Sequence, residues 1–280
     1  MQPATQRSKV SVVPQPEAAK PAHPWLNRRT VLSFASMSTF LLGWQFLVSS
    51  GIVHKRLLAP PIVVIQTFIT KFVDTTPDGA TLQEHFITSL VLALIGFVSA
   101  IGIGTPLGLC MGWYRGIDAV AHPLFELMRP VPPIAWIPLS ILWLGVGLVA
   151  KAFIIFVAAF VPCVINSHAG VKMTSPVLIN VARTCGASSW QIFTRVCLPY
   201  AIPLVFAGFR ISLGSAWSTL VAAELLAATC GLGYMIQMGR TMIRPDIIIV
   251  GMLTIGFTGA VMSWGLDRIE RRLAPWRSKR

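Results

Sequence analysis

Six long apolar segments divide this chain, and they constrain its fold more than any other feature. The predicted membrane spans are residues 31–50, 86–112, 129–147, 151–171, 199–228 and 247–266. Several reach the roughly 20 residues that cross a bilayer as a helix. With 54% hydrophobic and 12% charged residues, the chain is also too apolar for a soluble domain. The sequence therefore predicts an all-α polytopic membrane protein with six transmembrane helices.

The polar segments set the predicted domain boundaries. Residues 1–27 are polar and proline-rich, which predicts a disordered cytoplasmic tail. Residues 28–84 should hold the first span, which is too long for a signal peptide, and a short amphipathic helix over 62–73 at the outer surface. Residues 85–268 form the predicted five-helix core, and residues 269–280 form a basic cytoplasmic tail.

The basic residues predict the orientation in the membrane. With both ends of the chain inside, 17 of the 23 Lys and Arg residues fall in cytoplasmic segments, as the positive-inside rule requires. In a soluble chain, a formal charge of +13 would indicate nucleic acid binding. Here it is a topology signal, so we expect lipid as a partner and no nucleic acid. The same count places residues 180–199 in the cytoplasm.

Small residues recur at intervals of four along the second span. They are Gly96, Ala100, Gly104, Gly108 and Gly112. Such a ladder lies on one helix face and lets another helix approach closely. The simpler alternative is that the glycines are merely tolerated in a membrane helix. We predict close helix packing at Gly96, Gly104, Gly108 and Gly112.

Prolines interrupt the third span, RPVPPIAWIPLSILWLGVG, at residues 129–147. A broken helix at membrane depth is tolerated where its freed backbone is buried in protein or lines a cavity. In transporters such helices border the substrate pathway. We therefore place Pro132, Pro133, Trp136 and Pro138 at a translocation pathway, with a simple kink as the alternative.

The fifth span carries small and hydroxylated residues and one acid. The small residues suit close packing or the lining of a narrow polar path. Glu224 is the one acidic residue within a predicted span, and intramembrane carboxylates often mark functional sites. The alternative is a carboxylate that is hydrogen-bonded or protonated and serves helix packing. The predicted pathway residues on this span are Ser215, Ser218, Thr219 and Glu224.

Residues 180–199, NVARTCGASSWQIFTRVCLP, form the long polar segment between the fourth and fifth spans. Gly186 predicts a tight turn between two short helices, and Pro199 predicts the end of the second. The spacing resembles the cytoplasmic loop of ABC-importer permeases, whose pattern is Glu-Ala-Ala, three residues, Gly, nine residues, Ile, one residue, Leu-Pro. The positions that correspond to this pattern are Asn180, Val181, Ala182, Gly186, Val196, Leu198 and Pro199.

Two other segments resemble the permease subfamily that imports taurine, alkanesulfonates and nitrate. Residues 129–147 are similar to its third span. Residues 214–234, together with the ending RRLAPW, are most similar to its taurine-importing members. The resemblance implies a MetI-like transmembrane domain of a type I ABC importer in the bacterial inner membrane. It implies a homodimer, two cytoplasmic ATPase subunits that couple through residues 180–199, and a periplasmic substrate-binding protein.

The implied substrate is taurine or another small sulfonate, and nitrate or another small anion is the alternative. A gradient-driven secondary transporter with Glu224 as the proton relay is the alternative from another class.

The sequence offers no enzyme motif: the five histidines are scattered, and no Walker motif or paired carboxylates occur on one span. We expect no metal and no cofactor, with ATP hydrolysed by a separate subunit. The five cysteines form no C-x-x-C motif, which indicates reduced packing residues.

Overall fold

The computed structural model describes residues 28–54 and 56–273, and every regular element in these ranges is helical. In chain order the elements are α1 (Arg28–Ser49), α2 (Pro61–Thr70), α3 (Leu82–Trp113), α4 (Arg115–Met128), a 3₁₀ turn (Pro133–Trp136), α5 (Ile137–Leu144), α6 (Leu148–Lys172), α7 (Pro176–Thr184), α8 (Ser189–Ile192), a π-helical turn (Phe193–Cys197), α9 (Leu198–Ala227), α10 (Leu232–Thr241) and α11 (Pro245–Leu273). The all-α prediction is confirmed. The predicted tail 1–27 and residues 274–280 of the basic tail lie outside the described residues.

Five helices of the described chain are long and apolar enough to cross a membrane. They are Thr30–Ser49, Leu82–Trp113, Leu148–Lys172, Ser189–Leu225 and Pro245–Leu273. A sixth crossing is obtained when Arg115–Met128 and Pro133–Leu144, which meet at an angle of 90°, are counted as one broken span. The predicted third span is thus the broken one.

Three helices form the core: α3, α6 and α9. The glycine ladder of α3 lies against α6 along its whole length. A methyl group added at Gly96 would come within 2.5 Å of Ile155, and one added at Gly104 would come within 3.1 Å of Phe160. Gly108 and Gly112 face Ser167 and Val171 in the same way. Residues further along α3 contact residues further along α6, so the two helices run parallel.

Helix α9 runs antiparallel to α6 and closes the core from the other side. Gly170, near the end of α6, meets Ala201 near the start of α9. Further along, the Ser212 hydroxyl donates a hydrogen bond of 2.7 Å to the carbonyl of Ala159. Small residues therefore allow α6 to contact both neighbours closely, as expected where van der Waals contact drives helix association in lipid.

Helix α1 lies apart from this core. Only 6% of its apolar span is buried, and most of its large hydrophobic side chains are exposed. In a membrane that surface is stable against lipid tails. The short predicted amphipathic helix after it corresponds to α2, which begins at Pro61, a favoured residue in the first turn of a helix.

Residues 115–128 form helix α4, because their apolar and polar side chains separate onto two faces and suit the membrane surface. One local prediction was wrong. Pro199 does not end the helix that follows Gly186, because Ser189–Leu225 is continuous. The π-helical turn Phe193–Cys197 ends two residues before Pro199, and its wider hydrogen-bond pattern accommodates the proline ring within the continuous helix.

Candidate functional site

A cavity of about 330 Å³ lies between the 3₁₀ turn, α6 and α9. Three residues predicted to border a pathway line it: Pro133 and Trp136 from the broken span, and Ser215 from α9. Arg129 and Asn166 supply further polar groups. The structure thus brings together residues that the sequence placed in two separate spans.

The prolines of the broken span shape this cavity. Pro132 is extended, with φ −60° and ψ 135°, and Pro133 starts the 3₁₀ turn. Pro138 lies in the first turn of α5. At these positions a proline loses no helical hydrogen bond. Pro132 and Pro138 are exposed and are not among the lining residues, so their contribution is the course of the backbone.

The polar atoms at the cavity can be assigned roles. The Arg129 side chain is 63% exposed and lies 3.8 Å from Glu126, a distance at which it remains available to a solute. The amide nitrogen of Asn166 donates a hydrogen bond of 2.8 Å to the carbonyl of Pro162 and has a second N–H. Ser215 is half-buried beside them. These groups can all donate hydrogen bonds.

Not all predicted pathway residues meet at this cavity. Thr219 is buried between helices, and Ser218 is exposed and is not among the residues that line the cavity. Glu224 is only 1% exposed, and the cavity-lining residues do not include it. Its place in a pathway stays a prediction.

Glu224 belongs to a second polar site at the other end of α9. One carboxylate oxygen accepts a hydrogen bond of 2.7 Å from the Ser89 hydroxyl, and the other accepts one of 2.9 Å from the backbone N–H of Gly233. The N–H of Leu232 donates to the Ser89 oxygen at 2.8 Å. The carboxylate therefore caps the first turn of α10, where backbone N–H groups lack helical partners.

Two glycines make room for that carboxylate. A methyl group at Gly231 or at Gly233 would collide with Glu224. Gly231 also has φ +131°, a conformation that side-chain-bearing residues rarely adopt. The junction between α9 and α10 is thus matched to Glu224 in both backbone shape and space.

A chain of buried ionisable groups continues from this point. The N–H of Gly231 donates to Nδ1 of His85 at 3.0 Å, so the proton of a neutral imidazole is on Nε2, which lies 3.1 Å from Asp78. Lys71, only 2% exposed, forms an ion pair with the same carboxylate. Burial raises the pKa of Asp78, but hydrogen bonds from His85 and Lys71 outweigh it and hold that pKa below its ordinary value.

We call Lys71, Asp78, His85, Ser89 and Glu224 the Glu224 cluster. It joins the α2–α3 connection, α3 and the α9–α10 junction through bonds between buried groups. Chemically it can fix these elements in one arrangement. Sequence reasoning found Glu224 and missed its partner Ser89, which lies 135 positions away in the chain. The glycine pair at 231 and 233 was the one local signal.

The opposite end of the core carries α7, the Gly186 turn and α8. Gly186 has φ +79°, and its N–H donates to the carbonyl of Arg183 at 2.9 Å, a helix ending that favours glycine. The helix–turn–helix shape expected from the sequence is present. Along this segment the exposed residues of the sequence pattern are Asn180, Val181 and Gly186, and the half-buried ones are Ala182, Val196, Leu198 and Pro199.

Comparison with known proteins identifies the family. The family model described as "binding-protein-dependent transport system inner membrane component" matches residues 100–279. The chain belongs to this family. It is therefore a membrane-embedded permease subunit of an ABC importer, a class of transporter in which separate subunits hydrolyse ATP and bind substrate.

Three curated relatives place the permease in a subfamily. It is 36% identical to the taurine transport system permease protein TauC of Escherichia coli, over 90% of this chain and 91% of that one. It is 31% identical to the putative aliphatic sulfonates transport permease protein SsuC of Bacillus subtilis, over 84% and 83%. It is 27% identical to the nitrate import permease protein NrtB of Synechocystis, over 100% and 98%. The predicted taurine, sulfonate and nitrate subfamily is confirmed.

A solved structure supports the fold of the permease. An inward-facing form of the MetNI methionine ABC transporter matches with a TM-score of 0.55 and 22% sequence identity. The match covers 69% of this chain and 94% of that one. The predicted MetI-like architecture is therefore confirmed at the level of the fold.

Proposed function

We propose that two copies of this permease form the pathway by which an ABC importer moves taurine or another small sulfonate across the bacterial inner membrane. The 330 Å³ cavity is the observation that carries the proposal. The names of the taurine and sulfonate permeases among its relatives support the choice of substrate.

The chemistry of the cavity suits an anion. Arg129 supplies a positive charge, and Asn166 and Ser215 supply neutral donors. Among the described residues that line the cavity, none carries a carboxylate that would repel a sulfonate. A sulfonate oxygen bound by a guanidinium and by neutral donors forms charge-assisted hydrogen bonds, the stronger kind.

Taurine also carries an ammonium group, and the cavity offers a partner for it. The indole of Trp136 lines the same space, and an aromatic face attracts a cation within about 6 Å of its centre. A zwitterion would therefore place its sulfonate toward Arg129 and its ammonium over Trp136. Nitrate would use only the first of these contacts.

Coupling to the ATPases would occur through residues 180–199. Two large apolar side chains near this segment are exposed, which supports a contact with another protein. Val177 is 68% exposed and Trp190 is 65% exposed. Asn180 and Val181 are also exposed and lie with Val177 on α7. ATP-driven closure of the ATPases would push on α7 and α8, and the continuous helix from Ser189 would carry that movement into α9.

A second copy of the permease would face α9. Ile211, Gly214 and Ser218 are exposed and recur at helical spacing on one face of α9. Small residues on that face would allow two copies to approach, with Ser215 beside the contact. The excess of basic residues in segments 180–199 and 269–280 supports a cytoplasmic position for the coupling end and for both termini.

Two alternatives can be compared with this proposal. Import of nitrate or another small anion is supported by the 27% identical nitrate permease, and it would use the same donors. A gradient-driven transporter with Glu224 as relay has less support, because the family couples transport to ATP and because Ser89 and Gly233 occupy both oxygens of that carboxylate.

Reconstituted uptake tests the proposal. Vesicles holding the permease with its ATPase and a saturating amount of its binding protein should accumulate labelled taurine only with ATP. Unlabelled alkanesulfonate should compete, and nitrate should not. ATP-dependent uptake of nitrate together with no uptake of taurine would establish the alternative substrate, and uptake driven by a proton gradient without ATP would establish the alternative mechanism.

The cavity is tested by one pair of variants. Arg129→Gln should slow uptake at least tenfold, since a charge-assisted hydrogen bond is worth roughly 1.5–3 kcal/mol. Arg115→Gln changes the same kind of side chain at the start of α4, away from the cavity, and should leave the rate unchanged. Equal rates for the two variants would show that the cavity does not carry substrate.

A further inference from the structure

The geometry points to a binding site for a divalent transition-metal ion, with zinc the best fit, formed by Asp118 and His122 of α4 and His168 of α6. Each of the three side chains offers one ligand atom, and these atoms all lie within 4.8 Å of one another. We call these three residues the Asp118 site. The inference concerns metal binding alone and does not depend on what the cavity transports.

The fold brings these residues together at one end of the core. Asp118 and His122 are four residues apart on α4 and therefore share a helix face. Gly112 at the end of α3 contacts the backbone of His168 and the side chain of Val171. This close approach lets α4 begin beside the last turn of α6.

The two buried ligand atoms have an unusual contact. Oδ1 of Asp118 lies 2.9 Å from Nε2 of His168, yet neither atom has a partner with the alignment of a hydrogen bond. The other oxygen, Oδ2, lies 2.9 Å from the ammonium of Lys172. With Oδ2 paired to Lys172, Oδ1 faces the imidazole nitrogen. A cation between these two atoms would satisfy both.

The ligand set selects the kind of ion. Two imidazole nitrogens and one carboxylate oxygen suit zinc and its first-row neighbours, whereas magnesium and calcium prefer oxygen ligands. Ligand atoms around a tetrahedral zinc ion lie about 3.3 Å apart, given Zn–N distances of roughly 2.0–2.1 Å. His122 is exposed, so rotation of its side chain can close the remaining gap and also admit the ion. Three protein ligands leave a fourth position for water.

A bound ion would connect α4 to α6. The far end of α4 leads to Met128 and Arg129, which line the 330 Å³ cavity. Metal occupancy would therefore restrain the angle between the wall of the cavity and the core. Sequence reasoning expected no metal site, because His122 and His168 are far apart in the chain and belong to no ligand motif.

Direct metal binding tests the inference. The full-length permease, purified in detergent with a tag free of histidine and treated with chelator, should bind one equivalent of Co²⁺ or Zn²⁺ by equilibrium dialysis. Bound Co²⁺ should also give the visible absorption of a four-coordinate site. His122→Asn and His168→Asn should each lose this equivalent and its absorption. His54→Asn, which alters a histidine outside the site, should keep both.

A variant of Lys172 separates metal binding from a structural ion pair. Lys172→Met removes a positive charge 2.9 Å from the carboxylate, so the affinity for Zn²⁺ should rise roughly tenfold. Because His122 is exposed, His122→Asn should keep the wild-type elution profile in size exclusion, which shows that a loss of metal is not a loss of fold. Equal binding by wild type and His122→Asn, or an unchanged affinity in Lys172→Met, would overturn the inference.

Discussion

The two ends of helix α3 carry polar groups of opposite character. At its start, the Glu224 cluster is buried, and its charges and hydrogen-bonding groups find partners within one chain. At its other end, Lys172 and His122 are exposed, and the neighbouring α7 and α8 present apolar side chains to the outside. At the first end, the polar groups are therefore satisfied within a single permease. At the other end, exposed side chains remain available to contact partner subunits.

This difference has an energetic reason. A buried charge is very costly without its partner, so the Glu224 cluster can exist only as a connected set. Exposed groups at the opposite end cost little when they are unpaired, because water solvates them. We therefore expect changes at the first end to lower the stability of the permease itself. Changes at the second end should act on assembly and transport.

The largest loss of stability is expected for Asp78→Asn. The substitution leaves Lys71 buried without a counter-charge and should destabilise the fold by about 3 to 5 kcal/mol. The measurement is the melting temperature and the yield of monodisperse permease in detergent. Asp74→Asn alters an exposed aspartate of the same connection and serves as the matched control. Equal melting temperatures for the two variants would contradict the contrast between the ends.

The pH dependence of the same residue follows from the sign of its shift. The folded pKa of Asp78 lies below the ordinary value, so its contribution to stability is present above about pH 4 and is lost as the pH falls through the folded pKa. Melting curves should show the same difference between wild type and Asp78→Asn at every value from pH 6 to pH 8. A difference that disappears within that range would show that the carboxylate titrates near neutrality.

The next largest effect is expected at the contact that joins the two ends. Gly104→Leu should push α3 away from Phe160 and Val164 and cost about 1 to 3 kcal/mol through overpacking. Gly102→Leu places the same side chain on the same helix where no atom lies within 4 Å. The melting temperature should fall for Gly104→Leu alone. If both variants melt like the wild type, the ladder does not support the core.

A smaller effect is expected for Glu224→Gln. The amide keeps the shape and one acceptor oxygen but points an NH₂ group at either Ser89 or Gly233, at a cost of about 1 kcal/mol. Uptake should remain dependent on ATP and change only in rate. Proton movement that accompanies substrate in the wild type and stops in Glu224→Gln would instead assign the residue a relay role.

A similarly small change in stability should accompany the largest change in coupling, which is expected at Gly186. Gly186→Val meets no atom within 4 Å, so the loss is limited to about 1 to 2 kcal/mol of local strain from φ +79°. The permease should still enter the membrane, while co-purification of the ATPase and uptake should fail. Gly116→Val, which also has open space around it, is the control. Normal uptake by Gly186→Val would remove the coupling role from residues 180–199.

The sequence predicted the features that depend on local pattern. Apolar length predicted the spans, spacing of four placed Gly96 to Gly112 on one face, and Gly186 predicted a turn. The features it missed depend on distant partners. Ser89 and His85 meet residues 135 and 146 positions away, and no local pattern indicates such pairs. The prediction that a helix ends at Pro199 was wrong because the π-helical turn before it, which accommodates the proline ring, has no clear sequence signal.

The parallel arrangement of α3 and α6 has a consequence for how the chain enters a bilayer. Because both helices run in the same direction, the residues between them must bring the chain back across. Helix α5 has eight residues and extends only about 12 Å of a hydrocarbon layer of roughly 30 Å. Such a segment offers the insertion machinery too little apolar length to be accepted alone. The broken span therefore needs α4 and the 3₁₀ turn as well, and Ile137 of α5 lies in one buried cluster with Ile154 of α6. We expect this crossing to be held in the bilayer by its contact with α6 rather than by its own apolar length.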